Sequence, residues 1–87
     1  MNHEHEHDQK LAILIESAQG DWEATFHKTA KVLEVIEATR QHFGFSQEGN
    51  YQLKLATGET MRPERTLVSY QLNDGDHLTF VDLGVAV

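Results

Sequence analysis

The sequence contains no cysteine, and that one absence removes disulfides, thiolate metal sites and cysteine nucleophiles together. It leaves no redox argument to make and is compatible with a reducing cytoplasm. Bases are scarce: 7 lysines and arginines stand against 14 acids, a net charge of −7 with the histidines neutral. They gather in no basic run. Such a surface repels phosphate backbones, so nucleic acid is not expected as a partner. No apolar stretch approaches the ~20 residues needed to cross a bilayer. The acidic, His-rich beginning is the opposite of a secretory signal. A cytoplasmic protein with no membrane partner is therefore the expectation. At 87 residues the chain can build one core, and a domain so small is marginal unless well packed. Ser-His-Asp sets, paired carboxylates and Gly-rich phosphate loops are all missing. We expect a monomeric protein that is not an enzyme by itself and needs no cofactor.

Met1 to Gln9, MNHEHEHDQ, has almost nothing to bury and is expected to be disordered. In it His3, His5 and His7 alternate with Glu4, Glu6 and Asp8. Alternate residues of an extended chain face one way, so three imidazoles could share a nickel, copper or zinc ion. Flexible ligands without supporting contacts hold metals weakly, and a solvated tail is the preferred reading.

Lys10 to Glu16 reads as a first strand, with Leu11, Ile13 and Ile15 on one face and Ala12 and Leu14 on the other. Ser17 to Asp21 turns. Trp22 to His27 then alternates Trp22, Ala24 and Phe26 against Glu23, Thr25 and His27, which makes the pair a hairpin. From about Ala30 to Phe43 the period becomes helical. Val32, Leu33, Ile36, Thr39 or Arg40, and Phe43 form the apolar stripe. Thr29 is the expected N-terminal cap and Gly44 the C-terminal one. A loop over Phe45 to Asn50 leads to a third strand, Tyr51 to Leu55. Thr60 to Arg62 is a very short fourth strand, stopped by Pro63. Thr66 to Leu72 reads as a 3₁₀ piece plugging the core with Leu67 and Leu72. Asn73-Asp74-Gly75-Asp76 is a reverse turn, and too little of a calcium-loop pattern to bind an ion. His77 to Leu83 is the last strand, and Gly84 to Val87 a free tail. Trp22 and Tyr51 are expected in packing, and His27 and His77 close to each other across strands.

The order hairpin, helix, strand, short strand, helical turn, strand is that of an α+β β-grasp fold. It predicts a mixed sheet of four to five strands, the first and last central, with one helix on one face. The domain spans residues 10–83. Here the chain resembles ubiquitin and its relatives, most specifically in Thr66-Leu67, Tyr70, Leu72 and the Leu78–Phe80 strand. It is similar too to short bacterial ubiquitin-like proteins encoded beside activating- and conjugating-enzyme relatives. In the family the tyrosine anchors a loop by hydrogen bonding, which the resemblance implies for Tyr70. The family's apolar recognition patch falls on Lys54, Thr79 and Val81, of which only Val81 is apolar.

The resemblance implies a protein modifier attached through its C-terminal carboxylate, by isopeptide or ester linkage, in a bacterial-type pathway. Gly84, Val85, Ala86 and Val87 would be the conjugation tail. Its partners would be activating-enzyme-like and conjugating-enzyme-like proteins, with a processing protease if the tail is trimmed. The family's Gly-Gly ending lets the backbone approach an active site closely; Ala86-Val87 departs from it. Trimming to Gly84 would shorten the reach by roughly 10 Å at ~3.3 Å per residue. A non-conjugated β-grasp adaptor, binding through its sheet or an edge strand, is the alternative, with a sulfur carrier behind it. A tail packed on the body would favour the adaptor.

Overall fold

A computed structural model describes residues 9–85. The elements are β1 (Lys10–Ser17), β2 (Gly20–His27), α1 (Val32–Phe43), β3 (Gly49–Leu55), a 3₁₀ turn (Leu67–Tyr70) and β4 (Asp76–Val85). The strands form one four-stranded sheet in the order β2-β1-β4-β3. β1 is antiparallel to β2 and parallel to β4, and β4 is antiparallel to β3. This is the expected mixed sheet with the first and last strands at its centre. Among the described residues no helix is long and apolar enough to cross a membrane.

The alternation of β1 determines which face is covered. Leu11, Ile13 and Ile15 are buried, and their β2 partners Phe26, Ala24 and Trp22 are half-buried beside them. Leu53, Leu78 and Phe80 extend the same face into β3 and β4, and α1 closes over it with Val32, Val35 and Ile36.

The helix differs from expectation in start and phase. Leu33 is 51% exposed, and Val35 is buried instead. Positions 32, 35, 36 and 39 share one face at 100° per residue, whereas Leu33 lies a full step off it. The N-terminal cap is Lys31, not Thr29. Its N–H donates to the Glu34 carboxylate at 3.0 Å. The N–H groups of Val32 and Leu33 donate to the Arg65 and Pro63 carbonyls at 2.8 and 3.0 Å. A distant loop thus satisfies donors that a helix start leaves open. Gly44 caps the other end as expected, at φ +77°.

Thr60 to Arg62 does not form the expected very short fourth strand. Thr60 makes an isolated bridge to Lys54, and the Met61 N–H donates to the Leu53 carbonyl at 2.8 Å. The chain then leaves the sheet edge at Pro63 to cap the helix. Leu67 is fully buried, as the plug reading required; Leu72 is only half-buried against the core. The Tyr70 hydroxyl accepts the Arg62 N–H at 2.6 Å, the loop anchor that the resemblance implied.

The largest correction concerns the end of the domain. The last strand does not stop at Leu83, and Gly84 does not begin a free tail. β4 runs to Val85, with Gly84 opposite Asn50 and Val85 opposite Gly49. The register jumps between Asn50 and Tyr51, so Leu83 is an extra, bulged residue. Local alternation breaks there, and the sequence pattern reads as a strand end. A bulge instead re-aims a strand and lets pairing resume.

Candidate functional site

Two places on the described surface could meet a partner: the sheet face that α1 leaves uncovered, and the root of the tail. Strand alternation builds the first. With Leu78 and Phe80 turned inward, His77, Thr79 and Val81 turn outward, as do Gln52 and Lys54 on β3. Thr79 is the register partner of Lys54, and Val81 that of Gln52. The three residues expected from the sequence, Lys54, Thr79 and Val81, therefore stand together on adjacent strands.

The parallel pairing adds residues that the sequence did not single out. Thr79 lies opposite Glu16 on β1, and Glu16 opposite Asp21 on β2. A row Asp21, Glu16, Thr79, Lys54 crosses the sheet from acid to base. One step along, His77 lies beside Leu14, and Leu14 beside Glu23. His77 Nδ1 is 3.4 Å from Glu16 Oε2, with both side chains about half exposed. An exposed pair of this kind contributes ~0–1 kcal/mol. His27, expected near His77, pairs instead with Lys10 at the far end of β1. Period-two counting alone could have put Leu14 and Glu16 on this face; the parallel register that brings them to β4 leaves no mark in residue types.

Trp22 and Tyr51 are packing residues, as expected. The Trp22 ring stacks on His42 at 4.0 Å and 7°. Tyr51 stacks on Phe80 at 5.1 Å and donates its hydroxyl to the Ser46 carbonyl at 2.6 Å. The acidic turn is structural as well. Asp74 accepts the Ala12 N–H at 2.8 Å, and Asp76 the Asn73 N–H at 2.8 Å. Both carboxylates are thereby engaged by backbone donors. Among the described residues no three His, Asp or Glu side chains are placed to hold a metal. His3, His5 and His7 lie outside the described residues.

At the tail root, Asp82 accepts the Gly84 N–H at 2.8 Å, and the Asn50 amide donates to the Gly84 carbonyl at 3.4 Å. Gly84 has φ +85°, a backbone state that glycine adopts readily and L side chains rarely do. Asn50 and Asp82 were not anticipated, because nothing in a single Asn or Asp announces a partner across a bulge. Ala86 and Val87 lie outside the described residues.

No protein-family model matches the chain, and no curated protein matches it. Solved structures do. A de novo designed protein based on ubiquitin is similar at a TM-score of 0.77 and 19% identity, over 90% of this chain and 94% of that one. The ubiquitin-like domain of Plasmodium falciparum Dsk2 gives 0.73 and 15%, over 84% and 97%. The EccD5 ubiquitin-like domain from Mycobacterium xenopi gives 0.62 and 21%, over 90% and 99%. At these identities the likeness is one of fold, and the fold of this chain is the ubiquitin-like β-grasp.

Proposed function

We propose that this protein is a ubiquitin-like modifier of a bacterial-type conjugation pathway, attached to its targets through the carboxylate of Val87. The observation that supports the reading is the ubiquitin-like β-grasp fold, in which β4, a central strand, is the last element of the described residues. A modifier needs a rigid body from which an enzyme can take the carboxyl end. An activating enzyme would join the carboxylate to the AMP part of ATP, releasing pyrophosphate, and a nucleophile of the conjugation machinery would then take the acyl group as AMP leaves. The uncovered sheet face would serve recognition. Its Lys54, Thr79 and Glu16 make it polar where the family's patch is apolar, so its readers would be dedicated ones.

A second reading, an adaptor domain that is never conjugated, is favoured by the pairing of Gly84 and Val85 with β3. Two of the similar structures are ubiquitin-like domains by description. The test is intact mass after co-expression with neighbouring gene products, beside a variant lacking Val85, Ala86 and Val87. Adducts on the full chain that vanish in the shortened one are the expected result. Loss of the last three residues followed by adducts would mean processing to Gly84. An unmodified mass with demonstrably active partners would overturn the modifier reading and leave the adaptor.

A further inference from the structure

We propose that Asn50, Asp82 and Gly84 form a clasp that holds the tail root closed against β3, and that a partner can use the tail only when the clasp opens. Its use in conjugation rests on the reading above; the clasp itself does not.

Four observations converge on it. The bulge at Leu83 interrupts the β3–β4 ladder, and beyond it the described residues make two register pairs, Asn50 with Gly84 and Gly49 with Val85. Two side-chain hydrogen bonds set that short piece: the Gly84 N–H donates to Asp82 within β4, fixing the bulge, and the Asn50 amide donates across from β3 to the Gly84 carbonyl. Gly84 holds φ +85°, so the geometry depends on a residue without Cβ. Finally, Leu83 is 55% exposed, and Asn50, Asp82 and Gly84 are exposed too. None of residues 82 to 84 is itself part of the core.

A segment held by a few solvent-exposed hydrogen bonds, with residues 82 to 84 exposed, belongs to the low-stability end of a fold. It can open while the body stays folded. The bulge supplies the boundary, because the pairs on its body side, Gln52 with Val81 and Leu53 with Phe80, include the buried Leu53 and Phe80. Opening changes what a partner can grasp. Opening from Leu83 frees three further residues, Leu83 to Val85, and lengthens the free segment by roughly 10 Å at ~3.3 Å each. Only the longer segment reaches well into a channel. The clasp therefore reconciles a strand-paired tail with a carboxyl end that must be handled: pairing is the resting state, release the competent one.

The experiment is backbone ¹⁵N relaxation on the full chain and on the double variant Asn50→Ala, Asp82→Ala. A closed clasp gives Gly84 an order parameter near ~0.85, like the rest of β4, and the variant takes Gly84 below ~0.6 while Phe80 stays rigid. Phe80 reports that the variant is folded. A wild-type Gly84 already below ~0.6, or one unchanged in the folded variant, overturns the clasp. The initial rate of adduct formation with the partners identified by co-expression then tests the gate. The opened variant should react several-fold faster at limiting partner, and equal rates overturn gating. If neither protein forms adducts with active partners, the modifier reading falls and the gate with it, while relaxation still decides the clasp.

Discussion

Gly49 sits where a methyl group would not fit. A Cβ built there falls on the Tyr51 hydroxyl and lies 2.6 Å from Cζ of the ring. That ring cannot easily move, because it stacks on Phe80 and its hydroxyl is bonded to the Ser46 carbonyl. Gly49→Ala should therefore cost about 1–3 kcal/mol, the usual penalty of overpacking. It should lower the urea midpoint with m unchanged. The 3₁₀ turn offers a sharper contrast between neighbours. Leu67 is fully buried, and Val68 next to it is 51% exposed. Leu67→Ala should cost about 2–5 kcal/mol through the cavity it leaves, while Val68→Ala should stay within about 0.5 kcal/mol. Urea melts of the two variants check both numbers. Leu67 was one of two leucines in this segment, with Leu72, that the sequence put forward as plugs, and packing decided which of them is fully buried. Gly49 could not be identified from the sequence, because its constraint is a ring two residues away whose direction depends on packing.

At the scale of elements, α1 and the loop before the 3₁₀ turn stabilise each other. The loop carbonyls of Pro63 and Arg65 accept N–H groups of the first helical turn, and Tyr70 holds the same loop through the Arg62 N–H. Arg65 adds its guanidinium over the Tyr70 ring at 4.4 Å. Tyr70→Phe keeps the ring and removes the hydroxyl acceptor. The expected loss is about 0.5–1.5 kcal/mol, as for one hydrogen bond. Hydrogen exchange should show faster exchange at the Arg62 amide and at the first amides of α1, with β1 unchanged. Uniform loss of protection would instead mean that the loop and helix start are not a local unit. The span of α1 was legible from its period, since Val32, Ile36 and Thr39 recur at helical spacing. Its start was not. Thr29 is the better capping residue type, but the first donors find carbonyls thirty or more residues away, and local preference yields to them.

At the scale of the molecule, the pairing that closes the sheet joins its two ends. Ala12 and Asp74, 62 positions apart, are hydrogen bonded, and the parallel ladder from Ile13 to Glu16 against Asp76 to Thr79 begins beside them. Closing so long a loop costs chain entropy before any contact repays it. We expect refolding in the millisecond-to-second range, the range of folds dominated by non-local pairs. Stopped-flow fluorescence of Trp22, the single tryptophan, measures it. A microsecond phase accounting for the whole amplitude would contradict this picture.

The sequence by itself determined the local architecture. The alternations of β1, β2 and β3, the helical period of α1 and the glycine after Phe43 follow from side-chain size and polarity, which residue types carry openly. Their order sufficed for a β-grasp. The tertiary structure alone decided which strands lie side by side and where the last one ends. Backbone N–H and C=O groups make those choices, and they are nearly the same at every residue. Glu16 came to stand beside Thr79 in this way, and Gly84 came to be held by Asn50 and Asp82 rather than left free. The strand pairing, and with it the state of the tail, follows from how the whole sheet closes.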